Sequence, residues 1–297
     1  MLGVINLDKP VGPTSHDMVG LIRRLTGTRR IGHAGTLDPL ASGVLPILVG
    51  PATRFSEELT GGRKRYDAVI RLGERSATDD AEGPITPAAA LLPDDSQIGE
   101  ALSAFIGEFD QRPPDFSARK LEGRTAYRAA RAGTALELPA RRVVIDSIEI
   151  AGVERHDTVV DVAIDLRCGP GTYVRSLARD VGDRLGCGGH LQALRRTEAA
   201  GLRIGDAVTP ESLQEAADAD TLAERLLPVG ELLPLPAVVL TPQAAWRFVH
   251  GSAQDAPAGT DDGRVKVFDP DARLLGVGLA AGGQLRPEKV LPQDPDS

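Results

Sequence analysis

Cysteine is scarce in this chain of 297 residues: Cys168 and Cys187 are the only two, and they make no CxxC pair. Five histidines are scattered along the sequence, so no zinc-like spacing exists. A reduced, cytoplasmic protein without metal is expected, with Cys168 read as a small buried residue rather than a reactive thiol. No apolar run approaches the roughly 20 residues that span a bilayer, so no membrane partner is expected. The first hydrophobic segment runs straight into Asp8 and Lys9, with no basic leader or cleavage-like site, so no signal peptide is expected. Residues 76–110 lack Lys and Arg altogether while carrying eight carboxylates.

The composition that remains is ordinary for a globular chain, 41% hydrophobic and 26% charged, long enough for one large domain or a large and a small one. The net charge of −8 looks wrong for a nucleic-acid partner, but its distribution is uneven. Residues 1–75 hold 11 Lys and Arg against 7 carboxylates, residues 111–131 hold 6 against 2, and residues 167–203 hold 7 against 3. Residues 204–262 reverse this, at 2 against 10. A positive face on an acidic body fits these numbers, as does an unevenly charged solvated surface.

Residues 33 to 43, HAGTLDPLASG, hold one acid, Asp38, in a segment built against regular structure. Gly35 and Gly43 open backbone conformations closed to other residues, and Pro39 biases Asp38 away from the helical region. The run Val44 to Val49 reads as a buried strand that anchors the loop. A carboxylate so placed suits a nucleophile, although an Asp-Pro pair also serves as a plain turn.

Strands are expected at Lys64 to Leu72, Val143 to Ile150 and Thr158 to Cys168. Helices are expected from Thr14 or Ser15 as cap through Leu25, and over Ser96 to Ile106. Another runs from Val174 to Leu185 with Gly186 as its stop. Arg175 falls in the first turn of that last helix, where the dipole disfavours a cation, so a fixed anionic partner is expected. Short helices and a linker are expected over 207–232. A capped helix at Thr241 to His250 follows, then strands near 265–268 and 274–279 and a disordered end from Pro292. Without a βαβ rhythm, the fold class is α+β on a mixed, largely antiparallel sheet. The expected domains are residues 1–232 and a small β-rich unit, 236–293.

Five blocks in order carry more: GVINLDKPVGPTSHD from Gly3, HAGTLDPLASG, RKRYDAVIRLG from Arg63, QRPPDFSARKLEGRTAY from Gln111, and CGPGTYVRSLARDVGDRLGCGGHLQALRRT from Cys168. Together they resemble the TruB-type tRNA pseudouridine-55 synthases over roughly residues 3 to 200. The resemblance implies a catalytic domain followed by a PUA-like RNA-binding domain, tRNA as partner, a stand-alone enzyme expected to be a monomer, and isomerisation of a uridine in the T-loop. Because pseudouridine formation neither gains nor loses an atom, it implies no cofactor. It makes Asp38 the nucleophile, Arg175 its bidentate partner, and Tyr66 the ring that stacks on the target base. His33 would take part in extruding that base, Lys9 would support the site or meet phosphate, and Tyr173 and Leu194 would line the uracil pocket. Lys120, Arg195 and Arg196 would be phosphate or structural contacts. Phe116 stands where the family pattern leads one to expect tyrosine, which removes a hydroxyl.

Other readings compete. Gly27 to Gly32 spaces glycines like a P-loop, but His33 and Ala34 replace the Lys and Ser/Thr that such a loop needs. A non-catalytic RNA chaperone would not need Asp38, Tyr66 and Arg175 together. A guide-RNA-dependent relative of the fold would be expected to carry an N-terminal extension before the first block.

Overall fold

The computed structural model describes residues 1–88, 91–116, 120–121, 124–125, 134 and 138–292. Its strands, in chain order, begin with β1 (Gly3–Lys9), β2 (Ile31–His33), β3 (Ala41–Val49), β4 (Lys64–Leu72), β5 (Glu74–Ser76) and β6 (Ile85–Pro87). They continue with β7 (Gly107–Gln111), β8 (Lys120–Leu121), β9 (Arg124–Thr125), β10 (Arg141–Arg155), β11 (Val160–Cys168), β12 (Gly189–Ala199) and β13 (Leu202–Arg203). The last five are β14 (Ala237–Val239), β15 (Gln254–Asp255), β16 (Gly263–Phe268), β17 (Leu274–Ala281) and β18 (Gln284–Val290).

The large sheet runs β1-β3-β12-β4-β11-β10-β7, with β2 on β3 and β13 on β12. Among the described residues only β3 and β12 pair in parallel within it, and the other strand pairings are antiparallel, so the α+β expectation holds. That parallel seam joins the two most informative blocks, setting Ala41, Ser42 and Gly43 beside Leu194, Arg195 and Arg196. Gly43 has φ +101°, and a Cβ on it would stand 2.2 Å from the Arg196 carbonyl oxygen, so no other residue fits this approach.

The helices Ser15–Thr26, Asp95–Ser103 and Val174–Arg184 pack apolar faces onto this sheet. Thr14, not Ser15, caps the first, in a reciprocal capping box with Asp17. The second stops three residues before Ile106, and β10 reaches five residues beyond Ile150. β10 overshoots because Gly152 to Arg155 continue the pairing with β11 past a register shift, although their side chains no longer alternate inward.

A second sheet, β14-β16-β17-β18-β15, lies beyond residue 236. Its core is Val238, Phe248, Val265, Val267 and Leu285. The helix Pro242–Val249 starts at the expected Thr241 cap. β14, β15 and β18 escaped the pattern reading: two are three residues or shorter, and β18 contains Pro287 beside a register shift. The expected disordered end, from residue 293, lies outside the described residues.

Candidate active site

Asp38 sits between β2 and β3 on a loop held from several sides. Ser15, 2% exposed, accepts from Leu37 N at 2.8 Å and donates to Leu37 O at 2.9 Å. Gly12 N donates to Pro39 O at 2.9 Å, and Ala41 N to Asp38 O at 3.1 Å. Arg196 Nη2 donates to Gly35 O at 2.9 Å. The backbone around Asp38 is therefore fixed before any partner reaches its carboxylate.

That partner is Arg175. Its Nε lies 2.9 Å from Asp38 Oδ2, which explains a cation in the first turn of its helix. The side chain is 7% exposed, and each of its three guanidinium nitrogens has a partner. Nη1 reaches Asp80 Oδ2 at 3.3 Å and Thr78 O at 3.2 Å, and Nη2 reaches Phe116 O at 2.9 Å. The expected two-pronged contact with Asp38 is thus corrected: the guanidinium is shared between two carboxylates. Burial raises the Asp38 pKa above its ordinary value, Arg175 opposes this, and the Asp80 charge adds to the rise.

Asp38 and Arg175 open on a cleft of about 270 Å³, lined also by Tyr66, Tyr173, Leu194, Arg196 and Lys64. Tyr66 is 6% exposed and pairs across the sheet with Arg196. Burial pushes its phenol up, while the Arg196 charge and hydrogen bond pull it back. Tyr173 is held at the start of the Arg175 helix by Gln111, which accepts from its N at 2.8 Å and donates to its O at 3.1 Å. An anion, an aromatic face and an aliphatic wall converge here, a set suited to a flat neutral base on an electrophilic sugar.

Residues 23–174 match the TruB family pseudouridylate synthase N-terminal domain. Residues 175–234 match the tRNA pseudouridylate synthase B C-terminal domain, and residues 236–291 the TruB C-terminal model of pseudouridine synthase II. A tRNA pseudouridine synthase B of Ralstonia pickettii is 42% identical, over 97% of this chain and 94% of that one. One of Burkholderia mallei is 43% identical, over 97% and 96%. The chain belongs to the TruB family of pseudouridine synthases. Among solved structures, a Cbf5-Nop10-Gar1 complex is similar at TM-score 0.77 and 28% identity, covering 98% of this chain and 85% of that one. An H/ACA RNP bound to a substrate RNA containing 2′-deoxyuridine is similar at 0.75 and 26%, covering 98% and 86%.

Not every residue singled out by the TruB resemblance reaches the cleft. Lys9 is fully buried and donates to Pro10 O at 2.8 Å and Pro13 O at 2.7 Å, so the phosphate contact is corrected to a support beneath the Asp38 loop. Burial lowers its pKa to about 8, against the pull of Asp38. Arg196 is 1% exposed and donates to the Val44 and Gly35 carbonyls, which makes it structural as well as cleft-lining. Arg195 turns away to Asp8 at 2.7 Å and lines a neighbouring groove. His33, half-buried on β2 opposite Ile47, is outside the cleft lining, and burial lowers its pKa. Lys120 starts the short strand β8, and its side chain lies outside the described residues. Cys168 is 1% exposed, with burial pushing its thiol up to about 11, so it is inert as expected.

Three residues went unread in the sequence. Asp80, 3% exposed, shares Arg175 with Asp38, and its turn is docked on β12 where Ala81 N donates to Leu191 O at 3.0 Å. Asp79 holds Arg179 at 2.8 Å, and burial raises its pKa to about 6. Both lie in the acidic run that had offered no pattern. Lys64 lines the cleft from the start of β4.

Proposed function

We propose that this TruB-family chain converts uridine 55 in the T-loop of tRNA to pseudouridine, with Asp38 as its nucleophile. The observation that carries the reading is Asp38 on a pinned loop, 2.9 Å from a buried arginine, in a cleft lined by Tyr66. The target base leaves its stack at a cost of a few kcal/mol and enters the cleft, where Tyr66, Tyr173 and Leu194 take its faces and edges. The Asp38 carboxylate captures or stabilises the electron-poor centre that forms as the N1–C1′ bond breaks. The uracil turns within the cleft and rejoins the sugar through C5, and the proton released from C5 returns to N1. Arg175 keeps Asp38 ionised and aimed throughout.

Residues 1–232 carry this chemistry, and residues 236–293 serve as a PUA-like RNA-binding unit. His33 assists extrusion of the base, and Arg195 stands close to the RNA path.

The test is incubation with an unmodified tRNA transcript, followed by site-resolved detection of pseudouridine. Modification at position 55 is expected. Asp38→Asn, which keeps the size but not the charge, should abolish turnover while tRNA affinity stays within a few-fold. Modification only at other uridines, or a fully active asparagine variant free of deamidation, would overturn the assignment.

A further inference from the structure

Lys64 lies in the Asp38 cleft and, among the described residues, has no anion of its own. Its Nζ donates to Thr60 O at 2.8 Å and Gly62 O at 2.8 Å, which uses two of three N–H bonds. Among the described residues no carboxylate comes within 4.0 Å of it, and the charge that acts on it most is another cation, Arg196. A Cβ on Gly35 would stand 3.6 Å from Lys64 Cε and 3.4 Å from Arg196 Nη1, so both cations flank the loop three residues before Asp38. Burial and the Arg196 charge together push the Lys64 pKa down to about 8. Enclosing an ammonium beside a guanidinium costs stability, and among the described residues no carboxylate compensates that charge. Asp38 does not compensate it, because Arg175 already takes that role.

A bound nucleotide brings one anion. Uracil and ribose are neutral, whereas a phosphodiester flanks the ribose on each side. Lys64 and Tyr66 alternate onto the same face of β4, about 7 Å apart along the strand. A base held against Tyr66 therefore sets its own backbone beside the ammonium. Resting on the function proposed above, we propose that Lys64 is the phosphate-binding residue of the cleft. Its third N–H takes a non-bridging oxygen of one phosphodiester next to the target uridine. Binding energy from that phosphate then fixes the extruded nucleotide against Asp38, and the uncompensated charge makes the empty cleft selective for a nucleotide within a chain over a free nucleoside.

The test uses a T-arm stem-loop in three forms: unmodified, and with one neutral methylphosphonate on the 5′ or the 3′ side of the target uridine. Single-turnover rate and KM are measured for wild type, Lys64→Gln and Lys64→Arg, each checked by thermal melting. Wild type should lose roughly ten- to a hundredfold in kcat/KM with one of the two neutral linkages. Lys64→Gln should be weaker on the unmodified stem-loop and lose little more on that neutral one, whereas Lys64→Arg should keep the preference for charge. Equal wild-type rates on all three substrates would overturn the proposal, as would losses that multiply when Lys64→Gln meets the same linkage. Should Lys64→Gln fail to fold, Lys64→Arg carries the comparison: it must share the wild-type sensitivity at the same linkage, and indifference sinks the idea. Failure of wild type to modify even the unmodified stem-loop and whole tRNA would instead reject the function.

Discussion

At the scale of single residues, the decisive feature is one guanidinium between two carboxylates. Removing Arg175 takes away the cation that Asp38 and Asp80 share, with burial and like charge both raising the Asp38 pKa and only the weaker pull of the Lys9 charge left to oppose them. Asp38 works as a carboxylate, so activity falls as pH drops through its folded pKa, which already lies above the ordinary 3.8. Arg175→Ala should move that acid limb to still higher pH and lower the saturating single-turnover rate by orders of magnitude, with the salt dependence of tRNA binding little changed. Arg175→Lys should rescue in part, since one ammonium cannot span two carboxylates as the fork does. A normal rate and an unmoved acid limb in the alanine variant would show that Arg175 is merely another RNA contact. The need for an anion was legible because a cation at a helix start is out of place. Asp80 was not legible: it stands 95 positions from Arg175, and nothing in an acidic stretch marks one carboxylate as the buried one. Lys64 was hidden differently, reading as the ordinary first residue of a strand.

At the scale of elements, neighbouring Thr14 and Ser15 divide two jobs that the sequence left open between them. Thr14 caps the helix Ser15–Thr26, while Ser15 points inward and clamps both backbone groups of Leu37, next to Asp38. Thr14→Ala should cost about 1 kcal/mol of stability, as cap losses do, and leave kcat nearly unchanged. Ser15→Ala strips a buried N–H and C=O of their partner, a loss of roughly 1–3 kcal/mol, and frees the loop that aims the nucleophile. Its kcat should fall clearly with KM little altered, which unfolding curves and single-turnover kinetics on both variants will check. Equal kinetic effects would mean that the loop is aimed from elsewhere. Alternation revealed β4 and β11 because one face of each is buried, and an unbroken apolar run revealed β3, whereas β12 was not read as a strand. The β3–β12 seam could not be read so, because parallel pairing across some 150 positions is set by the close approach at Gly43, which leaves no periodic trace.

At the scale of the molecule, the second sheet is joined to the first by more than a linker. Val277 and Leu291 share a buried cluster with Val4, Phe55 and Leu59, and Lys266 donates to the Gly230 and Leu233 carbonyls. At the centre of the junction Glu58, its side chain 2% exposed, meets Arg264 at 2.6 Å and Lys289 at 2.8 Å. Cutting the chain near 236 would therefore strip a core, so a substitution at Glu58 tests the junction more cleanly. Burial pushes the Glu58 carboxyl up, but hydrogen bonds from Lys289 and Arg264 outweigh it and hold the pKa below the ordinary 4.5. Because the folded value is the lower one, the stabilisation is complete above the unfolded pKa and disappears as pH falls through the folded pKa. Glu58→Gln should lower stability at neutral pH by roughly 1.5–3 kcal/mol, less than a fully buried pair would lose because Arg264 remains 39% exposed. The gap between wild type and variant should close on acidification below the ordinary carboxylate range. The residues lining the Asp38 cleft all lie at or before Arg196, so saturating turnover of the folded variant should be preserved while tRNA affinity weakens. Urea unfolding across pH, paired with binding and single-turnover assays, decides it: a stability difference that persists unchanged in acid would mean Glu58 acts by packing, and a fall in saturating rate would mean the junction reaches the active site.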